Sequence, residues 1–263
     1  MGTYVVSGSA SGIGAALAQR LSDAGHRVIG VDRAGADVCA DLASSDGRAA
    51  AVAGVLDKVG GGAIDGLVPC AGIAGLTGVD SEMVVSVNYF GAIALVDGLR
   101  EAMAPESSVV MISSNSVTCM PGWPGAVAAL CLAGDEVSAR AEATEHEAVQ
   151  IYPATKAAIA GWVRREAVAR AQDGVRINAV APGLIATAMT DALREDPVLG
   201  VFADAYPTAL QRPGLAAEVA AVIDFLLSPA ASLIVGSVII IDGGTDAIVN
   251  PHPVVARGVS LGS

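Results

Sequence analysis

The chain opens with Thr3-Tyr4-Val5-Val6-Ser7-Gly8-Ser9-Ala10-Ser11-Gly12-Ile13-Gly14, a β-branched run followed at once by a glycine-rich turn. The apolar-periodic stretch Ala15 to Ala24 comes next, so strand, glycine turn and helix stand in the order a dinucleotide site requires. Glycines there let backbone amides approach a pyrophosphate at the positive end of the helix, where a side chain would intrude. The following strand pattern, Arg27-Val28-Ile29-Gly30-Val31-Asp32, ends in an acid 18 positions beyond Gly14. That is near the spacing of a carboxylate that holds the adenosine ribose. Gly8, Ser11, Gly12, Ile13, Gly14 and Asp32 are therefore candidate cofactor contacts; the plainer alternative is a tight β-to-α turn with Asp32 merely ending a strand.

The same alternation runs outward along the chain. Strand patterns are expected at Ala36 to Ala40, Ile64 to Pro69, Ser107 to Ser113, Arg176 to Ala181 and Val238 to Asp242. Helical patterns are expected at Asp46 to Val59, Ser81 to Met103, Ala154 to Ala171 and Ala216 to Leu227. Strands separated by helices imply an α/β, doubly wound Rossmann fold, a parallel seven-stranded sheet with helices on both faces. No repeat or low-complexity linker interrupts the 263 residues, which read as a single domain over 1-263.

Composition narrows the partners. Hydrophobic residues make up 53% and aromatic residues only 3%, so the core is built from Ala, Val, Leu and Ile. The longest apolar run near the C-terminus, Leu233 to Ile241, is broken by Gly236 and Ser237 and is too short to span a bilayer. The first residues lack a signal-type segment, and the cytoplasm is the expected compartment. A net charge of −12 argues against nucleic acid and against anionic membrane, leaving small molecules as partners. Cys39, Cys70, Cys119 and Cys131 form no CxxC pair and read as reduced thiols; these and the scattered His26, His146 and His252 offer no metal-site pattern.

Tyr152-Pro153-Ala154-Thr155-Lys156 supplies the chemistry. Two side chains four apart on one helix share a face, so an ammonium at 156 would sit beside a phenol at 152 and favour its ionised form. The plainer alternative is a half-buried aromatic next to a solvated lysine.

Taken together, the ordered motifs Ser7-Gly8-x-x-x-Gly12-Ile13-Gly14, Cys70-Ala71-Gly72, Asn88, Tyr152-x-x-x-Lys156 and Pro182-Gly183-x-x-x-Thr187, closed by Asp242-Gly243-Gly244, resemble the short-chain dehydrogenase/reductase family over almost the whole chain. The resemblance implies that Tyr152 moves the proton, that Lys156 grips the nicotinamide ribose and lowers the Tyr152 pKa, and that Ser114 polarises the substrate oxygen. It implies a proton-relay water held at Asn88, the adenine at Asp41 and Leu42, and the nicotinamide carboxamide near Ile185 and Thr187. Cys70, Ala71, Gly72, Pro182 and Gly183 would complete the cofactor contacts. The cofactor it implies is NAD, since Asp32 suits a ribose hydroxyl and repels a 2′-phosphate, with Arg33 as the cation that could offset that repulsion.

Two departures stand out. Cys70 replaces the family's asparagine, a change expected to weaken local bracing of the sheet more than the chemistry. Between Ser114 and Tyr152 an inserted segment occupies about 120-149, apolar in its first half and charged from Asp135 to Val149 like an exposed helix. Within the family this most resembles the bacterial 3α-hydroxysteroid dehydrogenase/carbonyl reductase group. A substrate lid is expected at about 188-211, offering Met189, Leu193, Val198, Leu199, Val201, Phe202, Tyr206 and Leu210, with Arg194 its only cation. Met120, Trp123, Pro124, Val127 and Leu130 of the insertion would face it, so the expected substrate is a bulky apolar alcohol or ketone of hydroxysteroid or cyclic terpenoid type. A homodimer is expected, with a tetramer as the other possibility. A 3-oxoacyl reductase-like enzyme and a non-catalytic NAD-binding regulator stay open as alternatives.

Overall fold

The computed structural model describes residues 1–251, with Phe202 and Asp204 described by backbone alone. His252, the chain beyond it and the Phe202 side chain thus lie outside the described residues. The strands are β1 (Thr3–Ser7), β2 (Arg27–Asp32), β3 (Val38–Cys39), β4 (Ile64–Pro69), β5 (Met103–Ile112), β6 (Arg176–Pro182), β7 (Ile185–Ala186), β8 (Gly214–Leu215) and β9 (Val238–Ile241). Seven of them form one sheet in the order β3-β2-β1-β4-β5-β6-β9, parallel throughout. The order reverses at β1, between β2 and β4, and the crevice at such a switch point is where open α/β sheets bind ligands.

The helices are α1 (Gly12–Asp23), α2 (Ser45–Val59), α3 (Ser81–Val85), α4 (Ala92–Gly98), α5 (Ser116–Cys119), α6 (Gly125–Ala133), α7 (Glu136–Ala143), α8 (Ala148–Gln172), α9 (Ala188–Glu195), α10 (Gly200–Asp204), α11 (Ala216–Leu227) and α12 (Thr245–Val249). One face of the sheet is closed by Leu17 and Leu21 of α1 with Val219 and Ile223 of α11. The other is closed by Val55 of α2, Leu95 of α4 and Ile159 of α8. Parallel strands covered on both faces read as continuous Val and Ile runs, as in Val5-Val6 and Val109-Val110, all essentially inaccessible. Among the described residues no helix is long and apolar enough to cross a membrane.

Three expectations need correction. Ser81 to Met103 is not one α-helix: between α3 and α4 the segment Ser86–Gly91 is π-helical, Arg100–Ala102 is a 3-10 turn, and Met103 already opens β5. The helix bearing Tyr152 begins at Ala148, so Tyr152 lies inside α8 and Pro153 is accommodated within it, leaving the Val149 carbonyl without the amide donor another residue would supply. The second half of the insertion is not simply an exposed helix. Asp135 caps α7 by accepting from the Ser138 amide at 3.0 Å, and Ala139 and Ala143 are buried with Val84 and Val85 of α3. α6 buries Val127, Ala128 and Cys131 among Ile151, Ala158 and Trp162 of α8.

Candidate active site

The ends of the sheet strands converge on one cleft of ≈ 310 Å³. Gly8 follows β1, Asp32 ends β2, Cys70-Ala71-Gly72 follows β4, Ser113 follows β5 and Pro182-Gly183 closes β6. All the expected cofactor residues line it: Gly8, Ser11, Gly12, Ile13, Gly14, Asp32, Asp41, Leu42, Cys70, Ala71, Gly72, Tyr152, Lys156, Pro182, Gly183, Ile185 and Thr187. Met83, Val87 and Thr190 also line it and carry no local motif from which they were legible, while Met189, expected in the lid, reaches this cleft as well.

The glycine turn is shaped for a backbone-lined anion site. A Cβ on Gly14 would fall 2.1 Å from the Gly8 carbonyl oxygen, so the turn closes only with glycine there. Ser11 is the extended N-cap of α1 and makes no capping hydrogen bond through its side chain. The first-turn amides, which have no carbonyl partner inside a helix, therefore face the cleft without a competing side chain. Asp32 is held by its own neighbours: Oδ2 accepts from the Ala10 amide at 3.0 Å and Oδ1 from the Arg33 amide at 2.7 Å. The bracing expected to suffer from Cys70 is supplied elsewhere, because the Ser7 hydroxyl accepts from the Ala71 amide at 3.1 Å. Burial pushes the Cys70 thiol up to about 11, with Lys156 pulling the other way.

The expected catalytic groups meet where β5 docks on α8. The Ser113 hydroxyl donates to the Lys156 carbonyl at 2.9 Å, and the Lys156 ammonium donates to the Ile112 carbonyl at 3.0 Å. These two bonds hold Ser114 beside Tyr152. The Ser114 oxygen accepts from the Ser116 amide at 3.1 Å, and Ser114 and Tyr152 line the same cavity. Lys156 Nζ lies 5.6 Å from the centre of the Tyr152 ring. Asn88 sits in the π-helical turn, where its carboxamide accepts from the Ile73 amide at 2.8 Å and donates to the Ile73 carbonyl at 3.0 Å. Gly72 permits this crowding, since a Cβ there would reach within 3.1 Å of Asn88 Oδ1 and 3.7 Å of Lys156 Nζ.

The titration of the pair differs from the expectation that the lysine makes the phenol acidic. Burial raises the Tyr152 pKa, and the nearby Ser114 hydroxyl only partly opposes it. Burial also lowers Lys156 to about 8. The ammonium is bonded to the Ile112 carbonyl rather than to the phenol oxygen, so in this geometry desolvation outweighs its attraction.

Ser114 and Tyr152 also line a second cavity, of ≈ 570 Å³. Its walls are mostly apolar: Leu76, Met120, Val149, Leu184, Met189, Leu193, Leu199 and Pro207 among them. Tyr206 of the lid lines it and donates to Asn115 Oδ1 at 3.1 Å, while Asn115 donates to Asp242 at 3.2 Å. Among the described residues no Lys, Arg, Asp, Glu or His lines it. Several expected wall residues do not. Trp123, Val127 and Leu130 pack instead with the hydrophobic core, Pro124 caps α6, and Val198, Val201 and Leu210 are 58%, 72% and 60% exposed. Cys119 and Val149 line the cavity and were not anticipated.

The segment expected to form a lid is anchored at both ends. β7 pairs in parallel with β8, so its entry and exit lie side by side. Asp196, 9% exposed, accepts from the Thr77 amide at 2.7 Å and the Thr77 hydroxyl at 2.8 Å, and from the Val198 and Leu199 amides at 2.9 and 2.8 Å. Burial works against this carboxylate, yet its donors bring it down to about 2. The Asp196-Pro197 pair was the available signal, because Asp before Pro favours such a turn.

Comparison with known proteins gives a consistent result. Residues 3–128 match the family model described as short chain dehydrogenase, and residues 136–246 match the one described as Enoyl-(Acyl carrier protein) reductase. The chain is 40% identical over 257 residues, covering 95% of it and 99% of the relative, to a 3-alpha-hydroxysteroid dehydrogenase/carbonyl reductase of Comamonas testosteroni. It is 32% identical, over 91% of it and 92% of the relative, to the short-chain reductase protein NovJ of Streptomyces niveus. Among solved structures, the 3-alpha-hydroxysteroid dehydrogenase from Pseudomonas sp. B-0831 complexed with NADH superposes with a TM-score of 0.91 at 43% identity, covering 95% of this chain and 99% of that one. Likeness of this extent, over a sheet order and a cleft already fixed by the residues themselves, means that the chain belongs to the short-chain dehydrogenase/reductase family.

Proposed function

We propose that the protein is an NAD-dependent dehydrogenase and ketone reductase acting on bulky apolar secondary alcohols, hydroxysteroids or cyclic terpenoids in kind. The observation that carries this reading is the ≈ 570 Å³ cavity whose described lining holds no ionic side chain, with Ser114 and Tyr152 in its wall. A cavity of that size suits a compact multi-ring skeleton, and burying such a skeleton is worth several kcal/mol at about 25 cal/mol per Å². A phosphate or carboxylate would find no cation among the described lining residues.

NAD, when bound, supplies the hydride acceptor that no side chain can provide. Gly12, Ile13 and Gly14 would hold its pyrophosphate, and Asp32 its adenosine ribose; the uncapped helix start and the pinned carboxylate fit those roles. Tyr152 takes the proton from the substrate hydroxyl at its phenol oxygen, and Ser114 holds the same substrate oxygen as charge develops on it. Lys156 would hold the nicotinamide ribose, and Asn88 a water of the proton relay. Asp32 disfavours a 2′-phosphate by its charge.

The test is a panel of secondary alcohols with NAD and with NADP, following nicotinamide reduction. Steroid and terpenoid alcohols should rank first, with NAD the better cofactor. Faster turnover of short linear alcohols or acyl thioesters, or equal efficiency with NADP, would refute the corresponding half of the proposal.

We also propose a cytoplasmic homodimer. The four cysteines are unpaired, as a reducing compartment allows. α6 and α7 cover parts of α3 and α8 that would otherwise be open to a partner. Light scattering should give twice the chain mass; a tetramer would show that this cover leaves the helices available.

A further inference from the structure

We infer that Arg48 and Glu136 are positioning residues for the adenosine end of the cofactor cleft, so that the inserted helix α7 serves cofactor binding through them. Arg48 projects from α2 and is only 7% exposed. Its guanidinium donates to the Leu42 carbonyl at 2.8 Å and to the Ala43 carbonyl at 3.2 Å. Leu42 and the adjoining Asp41 line the cleft, and Asp41 itself accepts from the Ala43 amide at 3.0 Å. The same group donates to the Ser86 carbonyl at 3.5 Å, at the start of the π-helical turn that carries Asn88. The fork of the guanidinium then meets both oxygens of Glu136, at 2.6 and 2.5 Å.

A buried guanidinium bonded to carbonyls alone would be an uncompensated charge, and such a charge is strongly destabilising. Glu136 neutralises it, and the bidentate geometry fixes the direction in which the remaining donors point. The segment 41-43 is thus held by a cation from α2 whose counter-charge comes from the insertion. Burial disfavours an ionised Glu136, yet the Arg48 hydrogen bond keeps its pKa below the ordinary value. Arg140, one turn further along α7, donates to the Ser86 hydroxyl at 3.2 Å and secures the same junction.

The inference rests on the cleft being the cofactor site. Its test is calorimetric titration with ADP-ribose, which carries the adenosine half, and with NADH, on wild type and Glu136→Gln. Losing one charged hydrogen-bond pair should weaken both ligands by roughly tenfold, raising KM for NAD while kcat and KM for the alcohol stay within about twofold. An unchanged ADP-ribose Kd overturns the inference, whether or not the melting temperature falls; so does weakening of NADH without weakening of ADP-ribose. If Glu136→Gln fails to fold, Glu136→Asp, which keeps the charge and shortens the reach, is read by the same two titrations. Wild-type protein that binds neither ligand would instead refute the cofactor site itself.

Discussion

Tyr152→Phe is expected to cut alcohol oxidation by about a hundredfold or more, the scale of losing a general acid/base, while leaving NADH binding nearly unchanged. The substitution removes one oxygen. The ring stays packed against the hydrophobic core, and the bonds of Lys156 and Ser113 do not involve the phenol. Burial raises the Tyr152 pKa, so the neutral phenol is the resting form and oxidation should speed up as pH rises above neutrality. In the Phe variant this rise should vanish along with the rate. Steady-state NADH production across pH, with a parallel NADH titration, reads both effects. Normal turnover by the Phe variant would sink the assignment of the proton carrier.

Lys156→Met should produce a comparable loss of turnover together with a pH-dependent change in stability. Lys156 is 4% exposed, and burial lowers its pKa from 10.5 to about 8. Between those values the unfolded chain binds more protons than the folded one, so wild-type stability rises with pH through that window. Below pH 8 both states carry the proton, and burying the charge costs the full amount, about 3 kcal/mol at 1.36 kcal/mol per unit. Methionine removes that cost but leaves the Ile112 carbonyl without its donor, a loss of about 1 kcal/mol or more. The stability of Lys156→Met relative to wild type should therefore be most favourable near pH 7 and decline towards pH 10.5. Urea unfolding at several pH values measures it, and a pH-independent difference would show that the buried lysine does not titrate as its surroundings imply.

The cofactor cleft was legible because its residues are written locally. A strand, a glycine turn and a helix start within a dozen positions, and the acid that ends β2 follows at a fixed distance. The cavity beside it was only partly legible. In the lid, Met189 and Leu193 face the cavity whereas Val198 and Val201 face solvent; apolarity alone does not say which side of a short surface helix a residue takes. Val127 illustrates the opposite error, since it is apolar because it packs among core residues, not because it meets substrate. The π-helical turn around Asn88 was invisible for another reason: its altered hydrogen-bond register leaves the apolar pattern of Ser81 to Met103 looking like one helix. The two-residue strands β7 and β8 are too short for any periodicity to show.

The walls of the large cavity come mainly from stretches far apart in the chain, one following Ser114 and one following Thr187, whereas the cofactor cleft is built largely from strand ends. On the proposed reading, mutational drift in those two stretches alters the accepted alcohol while most of the cofactor cleft is left alone, Met189 and Thr190, which line both, being the exceptions. Exchanging them between paralogues would be a direct way to breed new selectivities on an unchanged catalytic chassis.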